Sequence, residues 1–269
     1  MIKKAIPLDI YPNFQQRLKG KSFLQRVALK AFPVIPRHAY HPFLSELRAA
    51  LGRVVNRPGR VRNAYKYRRD LQVNIGCGPC GKGGWVNLDF FMSPGVNCLY
   101  DCRKDLPFSD NSVRCIFTEH FFEHLSYVEE VPLFLSECCR VLEPGGWIRV
   151  IVPDAEKYIR AYCADGWDDL ARIHPLYPDH TDGFGSRFNT KMEVVNSVFR
   201  QYFEHKWAYD FATLQFLLAR YGFCEIQQQE FGRSALPTLC IDNPDRASGS
   251  LYVEGRKVGV SDDPQRPPS

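Results

Sequence analysis

No apolar run in this 269-residue chain approaches the roughly 18 residues that a membrane-spanning helix requires. Its first residues, Met1–Pro7, lack the apolar core of a secretion signal. Acid is nearly absent from residues 1–70, which hold sixteen Lys or Arg and three Asp or Glu, a balance of 16 − 3 = +13. With a total of +5, the remainder carries 5 − 13 = −8, so the basic character is confined to one end. Cysteine is not scarce: there are ten. Several, Cys98, Cys115 and Cys224 among them, fall inside apolar strand-like runs where small buried thiols are ordinary. A reducing, cytoplasmic setting is therefore expected rather than a disulfide framework.

The most informative segment is Leu71–Phe90, LQVNIGCGPCGKGGWVNLDF. One apolar run ends in Gly76-Cys77-Gly78, and a second ends in Asp89. Glycines let the main chain approach a ligand with bare N–H groups, and a carboxylate at a strand tip can grip a ribose diol. Gly76-x-Gly78-x-x-Gly81 also matches the dinucleotide fingerprint, but that site needs a helix after the glycines and an acid about 20 residues on. Here Asp89 follows Gly76 by thirteen positions, and Pro79, Gly81, Gly83 and Gly84 leave no room for a long helix. A nucleoside cofactor without phosphates fits the spacing better than a dinucleotide.

The following residues extend the pattern. Val96–Asp101 reads as a third strand ending in an acid, and Val113–Thr118 as a fourth. Glu119 opens a helix expected to run to about Leu142, with Glu143-Pro-Gly-Gly146 stopping it. Trp147–Pro153 is a fifth strand. Cys224–Gln229 and Ser250–Arg256 read as a closing antiparallel pair, after a helix over Tyr209–Tyr221. Such alternation predicts an α/β, doubly wound parallel sheet, with Gly76, Asp89, Asp101 and Glu119 along the ligand-binding edge.

These motifs together resemble the class I S-adenosylmethionine-dependent methyltransferases. The likeness is to the branch reading GCG, GW.N.D, LPF.DNS, EH..EHL and PGG that is often linked to cell-surface polysaccharide synthesis. It is dense over Leu71–Asp154 and looser through Lys257. It implies a seven-stranded Rossmann-like sheet with an antiparallel C-terminal strand pair and S-adenosylmethionine as cofactor. Gly76, Cys77 and Gly78 would pass the methionyl part, Asp89 would hold the ribose hydroxyls, and Asp101 with Cys102 would read the adenine. Asn74 stands where many relatives carry an acid; it would bond the amino-acid end without charge. Cys80 replaces a common third glycine. The implied organisation is a basic helical extension (1–68), a methyltransferase domain (69–258) whose 155–206 insertion forms a lid or acceptor pocket, and a disordered tail (259–269).

Methyl transfer is an in-line displacement in which positioning supplies much of the rate, and a base is needed only when the acceptor must lose a proton. His120 is the candidate base, with Glu119 or Glu123 as orienter, and His205 is a second candidate. Packing against the cofactor or acceptor is the alternative role for His120. Two metal patterns compete with this reading. Cys77-x2-Cys80 and Cys98-x3-Cys102 approximate a four-thiolate zinc set. His120-Phe-Phe-Glu123-His124 matches an inverted zincin motif, with both imidazoles on one face of a helix. The first cysteine lies in the glycine loop and the motif helix ends a nucleoside-binding strand, so no metal is expected at either. By resemblance, the missing Asn/Asp-Pro-Pro-aromatic tetrad argues against methylation of base amino groups.

Phe14, Leu18, Val27 and Ala31, and then Leu44, Leu47, Leu51 and Val54, give two basic amphipathic stripes in the extension. They suit peripheral contact with an anionic membrane through residues 1–60, nucleic-acid phosphates, or a helical cap on the domain itself. Three functions follow: methylation of a hydroxyl on a glycan or other small or lipid-linked acceptor, RNA methylation through the basic arm, or a non-catalytic cofactor-binding module. The acceptor class rests on the resemblance alone.

Overall fold

A computed structural model of the chain describes residues 46, 47, 50, 57–182, 185–201 and 204–259. The stripes expected before residue 57, apart from three isolated positions, and the tail from 260 onward lie outside the described residues. Helix α1 (Pro58–Tyr65) begins with proline at its first position, where the missing N–H costs nothing. It leads into seven strands: β1 (Leu71–Ile75), β2 (Val86–Asp89), β3 (Cys98–Leu99), β4 (Val113–Glu119), β5 (Leu142–Pro153), β6 (Phe223–Gln229) and β7 (Ser250–Lys257). Helix α2 (Glu130–Val141) lies between β4 and β5. Helices α3 (Ala155–Cys163), α4 (Asp168–Ile173) and α5 (Lys191–Arg200) fill the insertion, and α6 (Phe211–Arg220) precedes β6. No described helix is long and apolar enough to cross a membrane.

The strand order is β3-β2-β1-β4-β5-β7-β6. The first five strands are parallel, while β7 runs antiparallel to both β5 and β6. The expected seven-stranded sheet with its antiparallel closing pair is therefore present. As the spacing anticipated, β1 and β2 are joined by a loop rather than a helix. Central β4 is buried at every position except Arg114, as a parallel strand covered on both faces must be.

Strict alternation divides the sheet into two cores. Ile116, Val150, Val152, Leu251 and Val253 face a large cluster that α2 covers with Val131, Phe134, Leu135, Cys138 and Val141. That spacing is a helical stripe, and Leu214, Leu217 and Leu218 of α6 extend the same cover. Phe117, Ile151 and Tyr252 face the other way, against Trp85, Leu236, Leu239 and Ile241. On this second face Arg149 is completely buried, paired to Asp242 at 2.6 Å and Glu254 at 2.7 Å. The guanidinium also donates to Arg233 O, so the 230–242 loop is pinned to the sheet by a satisfied ion-pair network. The insertion helices carry a small core of their own: Tyr158, Ala161, Leu170, Phe188 and Val194.

Three expectations need correction. The helix expected from Glu119 to Leu142 does not exist as one piece. β4 runs through Glu119, His120 turns left-handed (φ 52°), Phe122–His124 forms a single 3-10 turn, and the α-helix starts at Glu130. Pro132 is the reason: it is tolerated in the first turn of a helix but would break one starting a dozen residues earlier. The strand expected from Trp147 starts at Leu142 instead, taking in Pro144-Gly-Gly146 with a register shift against β4. The third strand shrinks to Cys98–Leu99, leaving Asp101 beyond its end.

Candidate active site

The β1 tip turns through Gly76 (φ 69°) and Gly78 (φ 48°), conformations open to glycine and strained for other residues. The two glycines serve different ends. A Cβ at Gly76 would lie 2.3 Å from the Phe121 ring, so this glycine makes room for Phe121 from the turn after β4. A Cβ at Gly78 would meet nothing within 4 Å, so its backbone borders open space that a ligand can approach. Asp89, buried at the β2 tip, accepts from Gly78 N and Phe91 N, both at 2.8 Å. Each carboxylate oxygen has a second lone pair left for a diol.

Asp101 is buried beyond β3 and is held by Arg103 through both oxygens, each at 2.9 Å. Arg103 also pairs with Glu46 and lies over the Phe90 ring. Burial pushes the Cys77 thiol up to about 12 and the fully buried Cys102 thiol well above its usual range, so both are protonated small side chains here. Asn74 is turned to another use: its amide nitrogen donates to Asn87 Oδ1 at 3.1 Å and Cys80 O at 3.4 Å, tying β1 to the loop. The Gly76–Gly78 turn, Asp89 and Asp101 thus lie along one edge of the sheet, while Asn74 is engaged inside it.

At the β4 tip a second constellation forms around Glu123. Its carboxylate is buried, with His120 Nδ1 at 3.2 Å and His205 Nε2 at 3.6 Å from Oε1. Burial alone would push the Glu123 carboxyl up. The contact with His120 and the charges of His120, His124 and His205 outweigh that and bring it to about 2. Burial pushes His205 down to about 4, only partly offset by Glu123, so this ring is neutral. His120 Nε2 lies 2.9 Å from Ser250 Oγ on β7, and the same hydroxyl donates to Arg246 O at 2.7 Å. Glu119 is used elsewhere, accepting from Asn243 N at 3.0 Å.

Among the sequence candidates the structure therefore joins His120 and His205 through Glu123, and leaves Glu119 as an anchor for the 243 loop. Two partners escaped sequence reasoning. Ser250 lies 130 residues from His120, and no local pattern marks it. Phe121, beside Gly76, is adjacent to another aromatic, Phe122, that packs on Phe134 and Tyr209 instead, so the local sequence does not mark which of the two meets the glycine loop. The four-thiolate pattern does not converge. Among the described residues the one group of three or more metal-ligating side chains is Glu123, His124 and His205. The zincin reading fails on geometry, because His120 and His124 do not share an α-helix.

Residues 95–150, from just before β3 to the middle of β5, match a family described as "Methyltransferase domain". The matched stretch contains Asp101, the β4 tip and Glu123. This stretch is therefore similar to a methyltransferase domain. No curated protein matches the chain. A methyltransferase structure from Thermotoga maritima is similar over 77% of this chain and 97% of its own, at 15% identity and a TM-score of 0.42. One from Archaeoglobus fulgidus covers 81% and 99%, at 16% identity and 0.41. A Burkholderia thailandensis 1,6-didemethyltoxoflavin-N1-methyltransferase, with S-adenosylhomocysteine bound, covers 81% and 90%, at 13% and 0.41. Superpositions this loose carry no argument of their own. The donor set at this edge suits a nucleoside-containing group: an open glycine backbone at Gly78 beside a carboxylate with lone pairs to spare.

Proposed function

We propose that the chain is an S-adenosylmethionine-dependent methyltransferase that transfers the methyl group to a hydroxyl of a small or glycan acceptor, with His120 taking the hydroxyl proton. S-adenosylmethionine supplies an electrophilic methyl group on its sulfonium sulfur. Asp89 would hold the ribose hydroxyls and the Gly76–Gly78 backbone would border the methionyl part, with Asp101 toward the adenine once Arg103 shares it. The observation that carries the acceptor reading is the His120 ring. One nitrogen faces the buried Glu123 carboxylate, and the other already meets an alcohol oxygen, that of Ser250, at 2.9 Å. An acceptor hydroxyl would take the place of Ser250 on Nε2. Glu123, 3.2 Å behind Nδ1, would stabilise the charge the ring gains.

Labelled cofactor incubated with panels of hydroxylated small molecules and glycans tests the acceptor class. Transfer confined to amines or RNA would reject the hydroxyl reading. On a responsive acceptor, His120→Ala should lower kcat by about 100-fold or more, the usual worth of a positioned base, with cofactor affinity retained. Turnover near wild type would remove His120 from the chemistry.

A further inference from the structure

Glu123 is an unusual carboxylate. It is 1% exposed, yet among the described residues no donor makes a properly directed hydrogen bond to either oxygen. The nearby His120 Nδ1 approaches one oxygen only. A buried carboxyl group left this way is costly, and such groups are held by partners or by cations.

The two histidines beside it are arranged to accept a cation rather than to donate protons. His205 Nδ1 lies 2.6 Å from Val198 O, a carbonyl that can only accept. Nδ1 therefore donates to that carbonyl, which leaves Nε2 as the nitrogen available to a ligand. That nitrogen is buried, has no hydrogen-bond partner, and lies 3.6 Å from Glu123 Oε1. His124 repeats the arrangement: its Nδ1 lies 3.1 Å from Glu204 O, leaving Nε2 as the open nitrogen. Backbone carbonyls fixing the tautomer through the far nitrogen are the usual support for metal-binding histidines. The two rings stand edge to face with centroids 4.7 Å apart.

We infer that Glu123, His124 and His205 form a binding site for one divalent transition-metal ion of the zinc or iron(II) type. One ligand atom from each lies within 4.8 Å of the others. A tetrahedral ion with bonds of about 2.0–2.1 Å needs ligand atoms about 3.4 Å apart, so modest side-chain closure completes the site. Two imidazoles and one carboxylate are the donor set that suits such ions and leave at least one position open. Magnesium and calcium prefer oxygen ligands and are disfavoured here. The ion would tie the turn after β4 to the end of the insertion, where Lys206 N and Trp207 N already donate to Glu123 O. The inference concerns binding alone and does not depend on the acceptor.

The test uses the full chain without a polyhistidine tag, stripped with a chelator and titrated with Co²⁺ and Zn²⁺. One equivalent of Co²⁺ should bind with a visible spectrum of nitrogen and oxygen ligation, and Zn²⁺ should displace it. Glu123→Gln and His205→Gln should each weaken binding by at least about tenfold. His124→Gln, at a half-buried position, is the second variant should the buried ones not fold. A Cys163→Ser/Cys240→Ser double variant, removing the exposed thiols, should bind as wild type. The inference falls if no stoichiometric binding is seen. It also falls if the ion is lost with the cysteines, or if folded glutamine variants bind unchanged.

Discussion

At the scale of single residues, Asp89 and Gly76 separate binding chemistry from packing. Asp89 spends one lone pair of each oxygen on backbone N–H groups, and what remains is what the cofactor diol can use. Asp89→Asn keeps the size and half the acceptors but loses the charge. Hydrogen bonds to a charged group contribute about 1.5–3 kcal/mol, so calorimetry should find cofactor affinity reduced about 10- to 100-fold in a folded protein. An unchanged dissociation constant would displace Asp89 from the site. Gly76 presents the opposite case. Gly76→Ala places a methyl 2.3 Å from the Phe121 ring at φ 69°, so the ring or the turn must move. Overpacking of this kind typically costs about 1–3 kcal/mol. Because Phe121 Cβ would itself lie 2.4 Å from the new methyl, the double variant Gly76→Ala/Phe121→Gly relieves the collision but not the backbone strain at position 76. Chemical denaturation should therefore show the alanine at 76 costing less when Phe121 is already gone, a coupling that two independent sites would not give.

At the scale of elements, the ion-pair network beneath the 230–242 loop and the insertion helices each carry a distinct liability. Arg149→Met leaves Glu254 and Asp242 buried without their cation. Breaking a buried pair by removing one partner costs about 3–5 kcal/mol, so urea unfolding should place this variant that far below wild type. In the insertion, His174 packs against Tyr158 and Phe188, and burial lowers its pKa below the ordinary 6.5, with Asp182 opposing only in part. Burial therefore favours the neutral ring in the folded state. Its contribution is thus present above its unfolded value and is lost as pH falls through the lower folded value. The stability lost between about pH 7 and about pH 5 should be smaller in His174→Phe than in wild type. The same elements show what could be read without coordinates. The parallel strands and the antiparallel ending followed from short apolar runs between turns, and the absent helix after β1 followed from Pro79 and its glycines. The false helix over 119–142 came from treating an apolar period as continuous across Pro132. The Asp89 tip was readable because it depends on nearby chain. The Glu123–His205 pairing was not, because the two lie 82 positions apart with four helices between them, and only the folded insertion brings His205 back.

At the scale of the whole molecule, the two constellations lie on different parts of the same sheet edge. The cofactor pocket joins the tips of β1 and β2, whose mutual hold is the Gly78–Asp89 bond and the Asn74–Asn87 bond. The Glu123 cluster joins the turn after β4 to the segment entering α6. Each ligand therefore fastens a different pair of elements, and each stabilises the native chain only through its own sites. A ligand at about 100 times its dissociation constant adds about 2.7 kcal/mol to the folded state. For a chain of this size each kcal/mol raises Tm by roughly 2–4 °C, so saturating S-adenosylmethionine should raise it by roughly 5–11 °C. In Asp89→Asn, at the same cofactor concentration, most of that shift should disappear, while a shift from Zn²⁺ should persist. Glu123→Gln should do the reverse. With two sites that share no residue, the cofactor and metal shifts should add within a few tenths of a kcal/mol. If instead either variant abolishes both shifts, the turn through Phe121 couples the pockets. That turn links the two directly, since Phe121 packs on Gly76 and stands two residues from Glu123.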